Sequence, residues 1–219
     1  PWADQLASGR EVEAELRRMR ELFLRWNPST TMKCAIFEEN GNRHDMQRVL
    51  GHVTLQNAVR RMGDFVLTSC AANALQPYRQ NDNGWDQGQV FFTPSQVWGM
   101  PPYYAQQMAA AHHRPLTVGC GVEGADGVLD VTATRSREAG SVVLHIANTG
   151  AEPLRVGLRV DGMRKVSQAR MVSLSGDLDA VNTPEEPRRI APVGRELPAR
   201  AAQTVDIAPY SYTIVVLDE

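Results

Sequence analysis

The apolar positions in the first half of the chain recur at helical spacing, interrupted by short apolar runs. Between residues 10 and 26 they fall at alternating steps of four and three, which lines one face of a helix. The run MKCAIF predicts a short buried strand, residues 44–62 a second helix and QVFFT a second strand, while Pro101 and Pro102 open a third helix. The segment DFVLTSCAANAL is apolar and ambiguous. Helices alternating with buried strands predict a parallel α/β structure.

From residue 115 onward the pattern changes to short β-rich runs separated by Gly, Asn, Asp and Pro. Runs such as GVLDVTATRS, GSVVLHIANTG, ARMVSLSG and YSYTIVVL predict an antiparallel β-sandwich. The sequence TPEEPRRIAPVGRELPAR is predicted to form a Pro-rich polar loop within it. We therefore predict two domains, residues 1–114 and 115–219, with a fold class of α/β plus all-β.

Composition and charge narrow the function classes. The 219 residues are 42% hydrophobic and 22% charged, which is typical of a globular protein. The formal net charge of -2 supplies no basic stripe, so nucleic acid is excluded as a partner. No apolar run approaches the roughly 20 residues that span a bilayer, so no membrane partner is predicted. Nothing in the sequence predicts a cellular compartment.

The residues that commonly bind metals are not grouped. Cys34, Cys70 and Cys120 are widely spaced and include no CxxC pair, which predicts free thiols and neither a disulfide framework nor a zinc site. The neighbours His112 and His113 project in different directions and do not converge on one ion. We therefore predict no metal site and no cofactor.

Two adjacent glutamates, Glu38 and Glu39, end the first predicted strand in the run KCAIFEENGN. In a parallel β/α barrel, the reacting groups lie where strands end and loops begin. Successive side chains of a strand point to opposite sides, so at most one of the two carboxylates can face the mouth of such a barrel. This pair is the strongest candidate for chemistry in the chain.

Four stretches resemble the α-L-arabinofuranosidases of glycoside hydrolase family 51. AIFEENGN is similar to the strand-seven segment that carries the nucleophile, and LQNAVRRMGDFVLTSCAANAL to the helix and segment that follow it. GWDQGQVFFTPSQVWGMPPYYAQQM resembles strand eight and the last helix, and DLDAVNTPEEPRRIAPV a loop of the C-terminal sandwich. The resemblance implies the last β/α units of a (β/α)8 TIM barrel followed by a jelly-roll-like antiparallel sandwich.

The resemblance also implies an activity and its residues. The family removes terminal α-L-arabinofuranosyl groups from arabinan or arabinoxylan with retention, which requires two carboxyl groups about 5 to 5.5 Å apart. It places the nucleophile at the second glutamate, Glu39, and leaves Glu38 facing away. It places sugar-binding groups just before strand eight, at Trp85 and Gln87, where an aromatic face stacks on a sugar and an amide binds hydroxyls.

The chain departs from the family in one respect that matters for catalysis. The acid/base glutamate of the family follows strand four as an Asn-Glu pair, and this sequence contains no Asn-Glu dipeptide. We therefore expect the chain to begin about three quarters of the way through a barrel, and to be inactive alone. Its expected partners are an arabinofuranosyl-containing saccharide and the missing N-terminal barrel portion, which another chain could supply. The alternatives are a non-catalytic carbohydrate-binding module and a structural sandwich whose barrel remnant packs against a partner.

Overall fold

The computed structural model describes residues 2–80, 84, 86–125, 127–138, 140–163 and 165–219, with side chains from residue 9 onward. Its helices are α1 (Trp2–Trp26), α2 (Met46–Arg61) and α3 (Pro101–Ala111), with a 3-10 turn at Gly63–Phe65. The strands of the α/β portion are β1 (Cys34–Glu39), β2 (Val66–Ala71), β3 (Leu75–Pro77), β4 (Val90–Phe92) and β5 (Val97–Gly99). The later strands are β6 (Leu116–Val118), β7 (Leu129–Arg135), β8 (Ser141–Asn148), β9 (Leu154–Arg159), β10 (Gln168–Ser175), β11 (Val193–Leu197), β12 (Ala202–Ile207) and β13 (Ser211–Asp218).

All three predicted helices are present, and local capping explains where two of them begin. The Asp45 side chain accepts a hydrogen bond from the backbone N–H of Arg48, which caps α2. Pro101 and Pro102 occupy the first turn of α3, where a missing N–H costs nothing. The first helix begins at Trp2 rather than near residue 10, and it packs along α2.

The parallel strands form separate small sheets, which corrects one prediction. We expected QVFFT to be the next barrel strand after MKCAIF, but β1 pairs in parallel with β2, which lies in the ambiguous segment. The strand β4 instead pairs in parallel with β3 and antiparallel with β5. Apolar composition cannot reveal a pairing partner, because it is shared by both candidate strands. Among the described residues these strands close no barrel, so the barrel remains a prediction.

The second half forms a six-stranded antiparallel sheet with the order β11-β10-β13-β8-β7-β6. A separate antiparallel pair, β9 with β12, covers one of its faces through a core that includes Ile146, Leu158, Val205 and Leu217. We call β6 to β13 the sandwich. One strand was missed: β11 lies inside the segment predicted to be a polar loop. It is an edge strand whose residues are mostly exposed, so it lacks the alternation that marks a half-buried strand.

The helices α2 and α3 cover the other face of the six-stranded sheet. Their shared core combines helix residues with residues of β8, β10 and β13. Its buried members include Val49, Leu50, Val53, Tyr104, Met108, Val143, Ala147, Leu174, Tyr212 and Ile214. This core crosses the predicted boundary between residues 114 and 115, which remains a prediction. The sandwich therefore sits directly against the helix that follows β1.

Candidate functional site

The two glutamates at the end of β1 lie in opposite environments. Glu39 is 3% exposed, whereas Glu38 is exposed to solvent. Successive side chains of a strand point to opposite sides, but exposure along β1 does not simply alternate, since Phe37 is 78% exposed and the pairing with β2 is irregular between Ile36 and Glu39. Glu39 pairs with Ala71 of β2 in the parallel register, so its carboxylate lies at the carboxyl end of a parallel strand pair.

All three oxygen atoms of Glu39 have hydrogen-bond partners. Its Oε2 lies 2.8 Å from Nδ1 of His52, and its Oε1 accepts a hydrogen bond from the Ser69 hydroxyl. Its main-chain oxygen accepts from Nη2 of Arg48 at 2.7 Å and from the backbone N–H of Ala72 at 3.2 Å. The residue is therefore held by α2 on one side and by β2 on the other.

These neighbours keep Glu39 ionised. Burial by itself raises the pKa of the carboxyl group, but the hydrogen bonds from His52 and Ser69 and the charge of Arg48 together hold its pKa below the usual value. Burial also lowers the pKa of His52, and it lowers the pKa of Arg48 to about 10. At neutral pH the site thus contains a carboxylate, a neutral imidazole and a guanidinium.

A neutral imidazole carries one N–H group, and the hydrogen-bond partners of His52 indicate which ring nitrogen carries it. Because Glu39 is ionised and can only accept, Nδ1 of His52 donates to it. Nε2 of His52 then accepts from Nε2 of Gln89 at 3.3 Å. His52 is 0% exposed and Gln89 is 6% exposed, so this chain of hydrogen bonds runs through the protein interior.

Gln87 is buried against the loop that follows Glu39. Its Oε1 accepts from the backbone N–H of Gly41 at 2.9 Å, and its Nε2 donates to Oδ1 of Asn40 at 2.8 Å. The Arg48 guanidinium lies so close to Gly41 that a Cβ there would be 2.0 Å from Nη1. Gln87 therefore braces the loop, and its predicted contact with sugar remains a prediction.

Trp85 is the other predicted sugar-binding residue, and the rings of His44 and Trp98 also lie near this part of the fold. Trp85 lies outside the described residues. His44 lies with Nδ1 3.1 Å from Asp86 and packs on Phe91, rather than contacting Glu39. Trp98 is buried and donates through Nε1 to the main-chain oxygen of Asn182 at 3.3 Å, which gives it a packing role.

Sequence analysis missed the residues that hold Glu39. His52, Arg48, Ser69 and Gln89 lie on three different segments, and no local pattern connects them to β1. The one available signal was the spacing of Arg48 and His52, which are four residues apart and therefore lie on one face of α2, where both are buried. Polar side chains on a buried helical face need partners, and a carboxylate is a fitting partner for both.

The described residues contain no group of three or more His, Cys, Asp or Glu side chains placed to hold a metal. Cys34, Cys70 and Cys120 are free thiols. Among the helices that the structure describes, none has the length and apolar character needed to cross a bilayer. The chemistry this site offers is that of one ionised carboxylate, which can act as a nucleophile or a base.

Comparison with protein families gives one match, over residues 27–211, to the model described as "Alpha-L-arabinofuranosidase C-terminal domain". Comparison with curated proteins found no match.

Solved structures with the same fold are larger than this chain. The thermostable GH51 alpha-L-arabinofuranosidase from Thermotoga petrophila RKU-1 matches with a TM-score of 0.83 and 16% identity, covering 99% of this chain and 50% of that one. The alpha-L-arabinofuranosidase from Thermotoga maritima matches with a TM-score of 0.79 and 15% identity, covering 100% and 50%. A GH30 endoxylanase from Clostridium papyrosolvens C71 matches with a TM-score of 0.61 and 11% identity, covering 85% and 42%. The chain thus spans half or less of these structures, and at such identities the likeness shows the fold alone.

Proposed function

The chain belongs to the alpha-L-arabinofuranosidase C-terminal domain family, and we propose that it is the C-terminal part of a retaining glycoside hydrolase. The proposed substrate is a terminal α-L-arabinofuranosyl group of arabinan or arabinoxylan, and the proposed nucleophile is Glu39. One observation carries this proposal: Glu39 is an ionised carboxylate at the carboxyl end of a parallel strand pair, where barrel enzymes place their reacting groups.

The surroundings of the two carboxylate oxygens favour different roles. Oε2 is bonded to the wholly buried His52, whereas Oε1 is bonded to the half-buried Ser69, whose hydroxyl can rotate away. We assign the attack to Oε1. It would form a bond to the anomeric carbon as the bond to the leaving oxygen breaks, and that oxygen takes a proton from a general acid. Water would then attack the anomeric carbon, give its proton to the now deprotonated general acid, release the sugar and regenerate the carboxylate.

The general acid is proposed to come from a further portion of the enzyme. Retaining hydrolysis needs a second carboxyl group, and the chain spans only about half of the related structures. The surface proposed to receive that portion is the β1–β2 sheet, whose Phe37 and Leu67 side chains are 78% and 69% exposed. Trp85 and Gln87 are retained as proposed sugar-binding residues.

Labelling of the full-length protein tests the assignment of the nucleophile. A mechanism-based arabinofuranosyl inactivator, followed by peptide mapping, is expected to modify Glu39. In Glu39→Ala, turnover is expected to fall by several orders of magnitude, and added azide is expected to restore part of it by attacking the vacated face. Glu38→Ala is the matched control, since its exposed carboxylate is expected to leave most activity intact. A label on Glu38, or outside residues 34–42, would contradict the assignment.

A second function is favoured by a different property of the same residue. Glu39 is almost completely buried with both carboxylate oxygens bonded, which also suits a structural hydrogen-bonded carboxylate in a non-catalytic module. The variant Glu39→Gln separates the two functions, because it keeps the shape of the side chain and removes its charge. A catalytic role predicts a folded protein without turnover. A structural role predicts a marked loss of stability in a protein that has no arabinofuranosidase activity to lose.

A further inference from the structure

We propose that His52 is a positioning residue for Glu39, and that the sandwich holds it in place through α2. The inference rests on the proposed role of Glu39 as nucleophile. It gives the sandwich a part in orienting that residue. His52 contacts no reacting atom in this scheme. Its effect is to fix the direction of a carboxylate that would otherwise be free to turn.

The imidazole ring is held at both nitrogens. Nδ1 donates to Oε2 of Glu39 at 2.8 Å, and Nε2 accepts from Gln89 at 3.3 Å. A ring bonded on both edges in a dry environment has one orientation, and it passes that orientation to the carboxylate. With Oε2 held in this way, Oε1 is the oxygen left to react with a substrate once the Ser69 hydroxyl rotates away.

The same helix grips the backbone of Glu39. Arg48 lies one turn before His52 on α2 and donates to the main-chain oxygen of Glu39 at 2.7 Å. One rigid element thus holds both the backbone and the side chain of the proposed nucleophile. Such two-point support is what keeps a reacting group within a fraction of an ångström of its productive position.

The other face of α2 is locked into the sandwich. Val49, Leu50 and Val53 are fully buried in one core with Val143 of β8 and Ile214 of β13. The helix cannot slide or rotate without opening this core, because close-packed interiors tolerate few such shifts. The position of His52 is therefore set by strands that begin 89 residues or more further along the chain.

Few charged groups face this site, which makes its pH dependence specific. The charged or titratable neighbours of His52 are Glu39 on β1 and Arg48 on α2, whereas Ser69 on β2 and Gln89 before β4 are uncharged. Burial lowers the pKa of His52 and lowers the pKa of Arg48 to about 10, so at neutral pH the imidazole is neutral and the guanidinium is protonated. The acid limb of the kcat/KM profile is therefore assigned to the hydrogen-bonded pair of Glu39 and His52.

The test uses two amide variants of His52 in the full-length protein. The side-chain nitrogen of asparagine takes the place of Nδ1 and can still donate to Glu39, whereas that of glutamine takes the place of Nε2 and cannot. His52→Asn is expected to keep kcat/KM within about threefold and to leave the acid limb in place. His52→Gln is expected to lose about 10- to 100-fold in kcat/KM, mainly in kcat, and to move the acid limb upward by about one pH unit.

The control is His145→Gln, which replaces an equally buried histidine of β8 that contacts Tyr212 and not Glu39. It is expected to lower stability without moving the acid limb. Equal losses in His52→Asn and His52→Gln, or a wild-type acid limb in His52→Gln, would overturn the inference. Labelling of each variant distinguishes a failure of the positioning role of His52 from a failure of the proposed role of Glu39 as nucleophile. If Glu39 takes the label at the wild-type rate in every variant, only the positioning role is wrong, and if Glu39 takes no label at all, the proposed function fails with it.

Discussion

The strands β13 and β1 show how differently the two halves of this chain treat their apolar residues. β13 lies in the middle of the six-stranded sheet, pairs with β10 and β8, and is buried along almost its whole length. β1 pairs only with β2 among the described residues, and Phe37 next to the two glutamates is largely exposed. The six-stranded sheet is therefore covered on both faces, by the β9–β12 pair and by α2 and α3, whereas among the described residues the β1–β2 sheet leaves apolar side chains without a cover.

The buried side chains of His145 in the sandwich and His52 in the α/β portion also differ in their surroundings. In the sandwich, Nδ1 of His145 and the Tyr212 hydroxyl form a hydrogen bond of 2.8 Å. Burial lowers the pKa of His145 to about 2 and raises the pKa of Tyr212 to about 12, so neither group titrates near neutral pH. His52 instead faces a carboxylate and is coupled to its charge. A buried polar pair serves structure in one half, and an ionised site is maintained in the other.

The largest expected effect concerns the incomplete half. Without a general acid and with most of a sugar pocket absent, the purified chain is expected to hydrolyse an aryl α-L-arabinofuranoside at least about 10²- to 10⁴-fold more slowly than the full-length protein. The assay requires material whose intact mass shows no second polypeptide. Robust turnover by such material would mean that the α/β portion is complete by itself.

A pair of substitutions in the two sheets tests the comparison directly. Ile214→Ala in β13 is expected to lower the free energy of unfolding of the chain by about 2 to 5 kcal/mol, because it leaves a cavity in a fully buried core. Phe37→Ala in β1 is expected to change it by less than about 0.5 kcal/mol, since the ring is already in water. Urea titrations of both variants give the two values. A similar loss in both would show that β1 is covered in the isolated chain.

The loop around Asn182 offers a smaller test of how the halves are joined. The side chain of Asn182 donates to the main-chain oxygens of Gly99 and Ile190 at 2.8 and 2.9 Å, and it accepts from the Ile190 N–H at 2.8 Å. Asn182→Ala is expected to cost about 1 to 3 kcal/mol, because it leaves these buried groups without partners. The control is Asn27→Ala, which removes an exposed turn contact to Ser29 and is expected to cost less in thermal unfolding.

Both buried histidines, His52 and His145, are expected to make the stability of the folded protein depend on pH. Both have folded-state pKa values below the ordinary value of about 6.5, so the folded state keeps them neutral while the unfolded chain takes up protons below that pH. Their contribution is fully present above pH 6.5 and is lost as the pH falls toward each folded-state pKa. Each histidine is expected to contribute up to about 1.4 kcal/mol per pH unit to the slope, and His145→Gln is expected to remove one such share between pH 6 and 5.

The sequence predicted correctly those secondary-structure elements that residues close together in the chain determine. The first two helices were visible from the helical spacing of their apolar residues, and Pro101 and Pro102 mark the start of α3. The strand β11 and the pairing of β1 with β2 were not visible, since exposed edges and partner choice leave no periodic signal. The resemblance to the arabinofuranosidases was confirmed by the family match over residues 27–211.

The amino-acid sequence by itself determined the helices, the change to an antiparallel sheet, the family, and the opposite directions of Glu38 and Glu39 along β1. These depend on spacing within one segment and on motifs read in order. Only the tertiary structure decided that His52, Ser69 and Gln89 surround Glu39, and that α2 binds the sandwich and the proposed site together. Their sequence separations range from 13 to 50 residues, and such contacts follow from how buried faces pack rather than from any local pattern.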